Sequence, residues 1–426
     1  MKSFFKKIIV RLLTIEAKLV IRKYKPRIIG ITGTVGKTTT KDMVAHLLMS
    51  GGLKVRKSEK SYNSEIGLPL TILGEKNAWG NIFRWGGVLK RGLVLAFFKK
   101  DYLEYLVLEM GVDRPGDMER FVSWLKPEAV IVTAIGEVPV HIEYFNGQET
   151  LAAEKAKLVE ATLIEGEVVL NADDPAVIKM RKKTGARVTT YGFSREADVA
   201  ASTLRVSKNG TSFKLNFKGN MVPVRMPYVF GKQYVYSALA AITVGKAFDL
   251  NMVKMTEALA EFISPSGRMN LIKGKNKIII LDDTYNSSPL AAMAAIETLR
   301  DIKIKNKAAI LGDMLELGKY TAQEHRKIGE LVARSGIDIL IGVGPRSQFA
   351  IEAAKAAGMT GERRIFWFAD SEEAGSRAMD ILPTGCLTLV KGSQGVRMEK
   401  VVEKIMDNPE DKEKLLVRQE KEWQNR

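Results

Sequence analysis

The stretch GITGTVGKTTT, residues 30–40, joins a predicted buried strand to a predicted helix. The strand is the apolar run PRIIGITG at 26–33, and the helix is KTTTKDMVAHLLMS at 37–50, which two glycines at 51–52 end. Glycines let backbone N–H groups approach phosphate oxygens, and the N-terminus of the helix adds partial positive charge. This order of strand, loop and helix therefore favours a phosphate-binding loop.

The loop differs from the strict pattern G-x4-G-K-[ST] at one position, because residue 31 is isoleucine and the glycines stand at 30 and 33. Lysine at 37 can reach the outer phosphates, and the hydroxyl at 38 can bind Mg²⁺. A glycine turn without a ligand is the alternative. The predicted nucleotide contacts in the loop are Gly33, Thr34, Gly36, Lys37, Thr38 and Thr39. Such a loop alone does not separate a kinase, a GTPase, a motor and a ligase.

Strands and helices alternate on both sides of this loop, which predicts an α/β fold with a mostly parallel sheet. A second α/β unit is expected where four further strands begin, and short alternating segments at 186–230 predict a small antiparallel appendage. Proline and glycine break the periodicity at 264–270. The expected organisation is a basic helix at 1–27, a P-loop unit at 28–263 with an apolar and basic insertion at 75–104, a second unit at 264–408 and a polar tail at 409–426.

Composition is typical of a globular protein, with 46% hydrophobic and 27% charged residues. The single cysteine, Cys386, excludes an internal disulfide, fits a reducing compartment and is expected in the core. No small-residue cleavage site follows the first apolar stretch, and the apolar runs are too short to cross a bilayer. We therefore expect a cytoplasmic protein.

Positive charge is concentrated near the start of a chain whose formal charge is +17. Residues 1–27 hold nine Lys or Arg and one acid, Glu16, and residues 4–21 place apolar side chains at helical spacing. This helix could lie on an anionic membrane or pack on the protein's own surface. The insertion at 75–104 could join it on the membrane or cover a surface that a further domain would otherwise occupy. No nucleic-acid-binding motif accompanies the basic residues, so we expect no nucleic-acid partner.

The loop TGTVGKTT at 32–39 resembles the T-G-T-x-G-K-T-T loop of the Mur ligases. The similarity extends over roughly residues 28–405, through NSEIGLPLTIL (63–73), LEMG (108–111), HIEYF (141–145), EKAKLVE (154–160), DDTYNSSP (282–289), LGDMLELG (311–318) and KGSQGVRME (391–399). The resemblance implies a P-loop central domain followed by a smaller Rossmann-like C-terminal domain.

The resemblance also implies an activity, in which ATP activates a carboxylate as an acyl phosphate and an amine then displaces the phosphate. The later motifs are most similar to the member that adds D-alanyl-D-alanine to a UDP-muramoyl peptide during peptidoglycan precursor synthesis. The implied cofactors are ATP and two Mg²⁺ ions, and the implied partners are a muramoyl-peptide-like acceptor and D-Ala-D-Ala. Other acceptors, lipid-linked muramoyl or polyglutamate, stay open, as does an ATP-binding protein without catalysis.

About 29 residues precede the loop, whereas the family usually has a full UDP-binding domain there. We therefore expect that domain to be missing, which leaves the binding site of the acceptor unassigned. The family's asparagines and histidine near adenine are also replaced, since Gln233 and Ser237 stand in the corresponding helix.

The remaining site residues follow from the same resemblance. The metal would be bound by Thr38, Glu109, His141 and Lys157. Lys157 would bind it as a carbamate, and Lys155 is the alternative for the carbamate. Arg268, Asp283 and Asn286 would contact nucleotide across the domain junction, and Lys391 and Ser393 would face the amine. The predicted catalytic set is Lys37, His141, Lys157 and Lys391. His46 and His325 are expected to be ordinary helix residues, although His325 could line the cleft.

Overall fold

Two β-sheets, one in each part of the chain, carry the helices of this protein. The structure is a computed structural model that describes residues 2–59, 62–79, 81–139, 142–360, 364–420 and 423. Among the described residues, we find no helix with both the length and the apolar character that a bilayer crossing requires.

The first sheet has nine strands in the order β2-β3-β1-β4-β5-β6-β7-β8-β9. These are β1 (Arg27–Thr32), β2 (Val55–Lys57), β3 (Tyr105–Glu109), β4 (Ala129–Val132), β5 (Glu167–Asn171), β6 (Arg187–Gly192), β7 (Val199–Ser207), β8 (Gly210–Phe217) and β9 (Asn220–Met226). The pairs from β2 through β7 are parallel, and β7, β8 and β9 are antiparallel.

Helices cover both faces of this sheet, which explains why its central strands are continuous apolar runs. They are α1 (Lys2–Tyr24), α2 (Lys37–Ser50), α3 (Gly67–Leu73), α4 (Ile82–Phe97), α5 (Asp117–Val122), α6 (Gln148–Glu160), α7 (Pro175–Ile178), α8 (Lys232–Ala247) and α9 (Met252–Glu261). Along β1, Ile29 and Ile31 pack into the core with α2 and α8, whereas Ile28 packs into the core with α1, α3 and α4.

The second sheet has six strands in the order β10-β11-β15-β12-β13-β14, and only the β10–β11 pair is antiparallel. The strands are β10 (Asn270–Lys273), β11 (Ile279–Asp283), β12 (Lys307–Gly312), β13 (Ile339–Val343), β14 (Arg364–Phe368) and β15 (Leu387–Lys391). The helices are α10 (Pro289–Asp301), α11 (Thr321–Arg334), α12 (Gln348–Ala356), α13 (Ser371–Ile381), α14 (Glu399–Ile405) and α15 (Lys412–Leu415). The predicted α/β fold with two sheets is confirmed.

The segment at 186–230 differs from the predicted small appendage. Strand β6 continues the large sheet in parallel with β5, and its Tyr191 is buried in the core. Only β7, β8 and β9 form the antiparallel part, and they too belong to the same sheet. Alternation along a strand shows that one face is buried but does not reveal the direction of its neighbour.

Candidate active site

The loop between β1 and α2 needs glycine at two positions. Gly33 has φ of 138°, and a Cβ there would come within 2.0 Å of Thr133 Oγ1. Gly36 has φ of 86° and precedes α2 without a side-chain cap. Because Gly36 has no side chain to accept from them, the first N–H groups of α2 can donate to an anion.

Lys37 and Thr38 stand at the first turn of α2. The Lys37 Nζ donates to the carbonyl of Thr34 over 3.2 Å, and burial lowers the pKa of Lys37. The Thr34 hydroxyl is buried and has no hydrogen-bond partner among the described residues. A desolvated ammonium and an unsatisfied hydroxyl both favour an anionic ligand in this loop.

Glu109 ends β3 with its carboxylate buried. Its Oε1 accepts a hydrogen bond from Asn63 Nδ2 over 3.3 Å, and its Oε2 has none from the described residues. The ammonium of Lys41 lies 4.0 Å from Oε2, and burial lowers the pKa of that lysine. An acceptor oxygen left open in this way fits a divalent cation, which favours carboxylate ligands.

The metal set expected from the sequence can be tested only in part. His141 lies outside the described residues. Within the described part of the chain, no three His, Cys, Asp or Glu side chains gather as a metal cluster. Thr38 and Glu109 are both found in the lining of the same cleft. The residues present fit a site that binds Mg²⁺ partly through hydroxyl and carboxylate oxygens and partly through other ligands.

The two lysines of α6 point in different directions. The buried Lys155 Nζ donates to the carbonyl of Gly33 over 3.0 Å, at the phosphate loop. Lys157 instead pairs with Glu119 at 3.0 Å and Glu154 at 2.9 Å, and its side chain is partly exposed. Residues two apart on a helix lie on different faces, so only one of the pair can reach the loop. The structure brings Lys155, and not Lys157, to the phosphate site.

Burial also changes the acidity of Lys155. Desolvation is the main cause that lowers the pKa of its ammonium to about 7, and the nearby charge of Lys37 acts in the same direction. A substantial fraction of this amine is therefore neutral near pH 7, and a neutral amine can react with carbon dioxide to give a carbamate.

The second sheet contributes an ion pair at the ends of β11 and β15. Lys391 Nζ lies 2.5 Å from Asp283 Oδ2 and donates to the carbonyl of Asn286 over 2.9 Å. Asn286 Oδ1 accepts from the N–H of Gln394, and the Ser393 hydroxyl accepts from the N–H of Leu315. These contacts hold together three of the segments that resemble the family, 282–289, 311–318 and 391–399, at one edge of the sheet.

Arg268 connects the two sheets. Its guanidinium donates to the Thr38 hydroxyl over 3.0 Å and lies 4.1 Å from the centre of the Tyr285 ring. The Tyr234 and Ser264 hydroxyls donate to its backbone carbonyl. Arg268 therefore lies at the phosphate loop, and its contact with nucleotide stays a prediction.

Two neighbouring cavities meet at the phosphate loop. One, of about 670 Å³, is the cleft between the sheets, and its lining includes the loop, Glu109, Arg268 and Lys391. The other, of about 1030 Å³, extends along α8 beside Gly36. Gln233 and Ser237 line both cavities. The volumes lie within or near the range of small-molecule sites.

Sequence reasoning missed a residue of the C-terminal tail. Arg418 is buried, donates to the carbonyls of Thr284 and Tyr285 at 2.5 and 2.9 Å, and pairs with Glu399 at 2.7 Å. It anchors the loop that carries Asn286. The surrounding sequence is polar, and nothing in its spacing distinguishes this arginine from the exposed cations nearby.

The other histidines and the cysteine have structural contacts. His325 accepts from the N–H of Met314 through Nε2 at 3.0 Å, and burial lowers its pKa. His46 Nε2 lies 2.8 Å from the carbonyl of Ala258. Cys386 is buried, and desolvation raises the pKa of its thiol to about 11.

On one sheet lies a P-loop, and it faces a lysine–aspartate pair on the second sheet across a nucleotide-sized cleft. This is the arrangement of the Mur ligases. The chain belongs to this family: residues 31–83 and 89–245 match the Mur ligase middle domain, and residues 267–394 match the Mur ligase, glutamate ligase domain. The family predicted from the sequence is confirmed, and with it an ATP-dependent ligase.

Relatives carry more particular names. The UDP-N-acetylmuramoyl-tripeptide–D-alanyl-D-alanine ligase of Bacillus subtilis (strain 168) is 27% identical over 394 residues, which are 92% of this chain and 79% of that protein. MurF from Acinetobacter baumannii shares the fold with a TM-score of 0.78 and 22% identity, over 93% of this chain and 80% of that one. MurF ligase from Thermotoga maritima, in complex with ADP, has a TM-score of 0.75 and 23% identity, over 93% and 83%.

Proposed function

We propose that this protein is an ATP-dependent ligase that adds D-alanyl-D-alanine to a muramoyl peptide in peptidoglycan precursor synthesis. The cleft carries the proposal, because Lys37, Thr38 and Arg268 meet at one edge and Lys391 and Asp283 at the other. Relatives named for the same reaction, aligned over most of the chain, support it.

In the proposed reaction, the peptide carboxylate attacks the γ-phosphorus of ATP, and ADP leaves. The amine of D-Ala-D-Ala then attacks the acyl carbon, and the phosphate departs with one carboxylate oxygen. Little covalent chemistry falls to the protein, so its task is to position the reactants and neutralise charge. Lys37 supplies buried positive charge at the loop, and Arg268 holds the second sheet to it.

Bound Mg²⁺ would neutralise charge on the phosphates. We assign Thr38 and Glu109 as ligands because both residues line the cleft and Glu109 Oε2 has no hydrogen-bond partner among the described residues. His141 stays a predicted ligand. For the carbamate we propose Lys155 in place of Lys157, since Lys155 reaches the loop and its pKa is lowered to about 7.

On the second sheet we propose that Asp283, Asn286 and Lys391 act on the nucleotide and the incoming amine. Lys391 is buried and held by Asp283 and the Asn286 carbonyl, so its ammonium is fixed in position. Gln233 and Ser237 would lie near adenine, in the cavity along α8. We also propose that the two domains join at residues 264–270.

The test is phosphate release with UDP-muramoyl tripeptide, D-Ala-D-Ala, ATP and Mg²⁺. We expect one phosphate per amide bond, and no sustained release when either substrate is omitted. Parallel assays use a lipid-linked muramoyl tripeptide and a polyglutamate acceptor. Turnover only with one of those would replace the proposed acceptor, and release without any acceptor would contradict a ligase.

A further inference from the structure

Helices α1 and α4 pack side by side in the same direction. The Tyr24 hydroxyl donates to the carbonyls of Leu95 and Lys99 over 2.8 and 2.6 Å. Nearer the middle of α1, the Glu16 carboxylate lies so close to Gly92 that a Cβ there would come within 2.0 Å of it. The faces that the two helices turn away from the core form what we call the α1–α4 surface.

The α1–α4 surface exposes an unusual amount of apolar side chain. Among the described residues, twenty large hydrophobic side chains are exposed, and ten of them lie on or next to these two helices. Phe83 is 93% exposed and Phe98 is 79% exposed. The ten are Ile8, Leu12, Ile15, Trp79, Ile82, Phe83, Leu93, Val94, Phe97 and Phe98. Exposed apolar side chains gathered on two neighbouring helices mark an interaction site, whereas single scattered ones do not.

Cations surround these apolar side chains. Residues 1–27 contain nine Lys or Arg and one acid, and residues 76–100 contain six Lys or Arg and no acid. Among these cations, Arg91 pairs with Glu75 at 2.6 Å and Lys6 with Glu65 at 2.9 Å, which leaves most of them without an acidic neighbour in the same segment. The one acid, Glu16, is buried between the helices. On α1, the exposed row Ile8, Leu12 and Ile15 is flanked by exposed Lys7, Arg11, Lys18 and Arg22. The surface is therefore both apolar and strongly positive.

We propose that the α1–α4 surface binds to an anionic lipid bilayer, lying in its interface without crossing it. Aromatic and aliphatic side chains enter the boundary between headgroups and acyl chains, while Lys and Arg contact the anionic headgroups. A second copy of the chain would place cations against cations. A nucleic acid would satisfy the charge but would leave the aliphatic side chains in water.

This binding leaves the active site free, since no described residue of α1 or α4 lines the cleft. The proposal goes beyond the ligase reaction, and the two can fail separately. Variants that lose membrane binding are expected to keep their turnover in solution. A protein that showed no ligase turnover could still bind lipid vesicles.

The test is co-sedimentation of the full chain with vesicles of equal parts phosphatidylglycerol and phosphatidylcholine, and with vesicles of phosphatidylcholine alone. We expect binding to the anionic vesicles, weakened by added salt. The triple variants Phe83→Ser/Phe97→Ser/Phe98→Ser and Lys7→Glu/Arg11→Glu/Lys18→Glu should each lose about tenfold or more in binding.

Matched controls change residues that are exposed elsewhere on the protein. They are Ile164→Ser/Met221→Ser/Tyr228→Ser for the apolar variant and Lys208→Glu/Lys214→Glu/Lys273→Glu for the charge variant. The controls should bind vesicles like the wild type, and all variants should keep solution turnover, which shows that they fold.

Several results would overturn the proposal. They are absent binding to anionic vesicles, equal losses in controls and surface variants, and equal binding to vesicles of phosphatidylcholine alone. A dimer in light scattering that the phenylalanine variant abolishes would assign the surface to a second copy. Tight binding of a single-stranded oligonucleotide that prevents vesicle binding would assign it to nucleic acid.

Discussion

The cleft and the α1–α4 surface both gather positive charge, but they do so in opposite environments. In the cleft, Lys37 and Lys155 are desolvated, and the pKa of each is lowered. On the α1–α4 surface, Lys7, Arg11 and Lys18 are exposed beside apolar side chains. Buried cations bind one anion in a fixed geometry, whereas exposed cations attract a charged plane through many weak contacts. Burial therefore decides what each cluster of cations binds.

The largest effect is expected from Lys37→Ala. Removing this charge from the phosphate loop should lower kcat by roughly 10³, because a preorganised group in a dry site stabilises the developing charge strongly. Steady-state phosphate release measures it. The control Lys54→Ala removes an exposed lysine from the same domain and should change little. If Lys37→Ala kept activity near the wild-type rate, Lys37 would have no special role at the phosphates. The contrast between the desolvated cations of the cleft and the exposed cations of the α1–α4 surface would then fail.

The next largest effect separates the two lysines of α6. Lys155→Ala should lower kcat by about 10², since it removes the proposed carbamate ligand, and losing even an outer partner of the metal ligands costs about 10- to 100-fold. Lys157→Ala should change kcat little, because its side chain pairs with Glu119 and Glu154 and does not reach the phosphate loop. Kinetics on both variants, with Mg²⁺ titrations, measure the difference.

The pH dependence adds a second readout for Lys155. A carbamate forms from the neutral amine, and the pKa of Lys155 is lowered to about 7, so activity should rise with pH through that value. NMR with ¹³C-labelled bicarbonate should show a carbamate signal in the wild type and in Lys157→Ala. A signal retained in Lys155→Ala but lost in Lys157→Ala would reverse the assignment.

Arg418→Ala tests whether the tail supports the cleft. The substitution leaves Glu399 buried with fewer partners and releases the Thr284 and Tyr285 carbonyls. Breaking a buried pair should cost about 3 kcal/mol of unfolding free energy. Denaturant unfolding measures the loss, with exposed Lys414→Ala as the control. Equal stability of the two variants would show that the tail anchors nothing.

The smallest effect concerns the packing of α1 on α4. Burial raises the pKa of Glu16 to about 7 from an ordinary 4.5, so the folded protein keeps a proton that the unfolded chain releases between those values. Its contribution to stability is therefore lost as pH rises from 4.5 to 7. Glu16→Gln should be more stable than the wild type by on the order of 2 kcal/mol at pH 8, and equally stable near pH 4. Urea unfolding at both pH values checks this, and a difference that does not change with pH would contradict it.

The sequence predicted the phosphate loop and the two sheets because local patterns encode them. The spacing directly shows glycine at 33 and 36, with an apolar strand before the loop and a helix after it. Strand β6 could not be placed in the large sheet, since alternation along a strand does not reveal the direction of its neighbour. The cytoplasmic location expected from composition stays a prediction.

Side-chain direction limited the prediction of the site. The motif offered Lys155 and Lys157, and only the orientation of α6 decides which one reaches the loop. Arg418 was missed because its partners lie 19 and more than 130 residues away. The basic helix at 1–27 was predicted with two alternatives. One face of α1 packs on the protein itself, and contact of the exposed face with a membrane stays a proposal.

The most direct test of the central claim uses UDP-muramoyl tripeptide with ¹⁸O in the reacting carboxylate. If the carboxylate takes the γ-phosphoryl group before the amine attacks, one ¹⁸O must appear in each phosphate released with D-Ala-D-Ala. We predict that mass spectrometry finds this label in the wild type. Unlabelled phosphate, formed at the same rate as the product, would show that ATP is hydrolysed by water and would contradict an acyl-phosphate ligase.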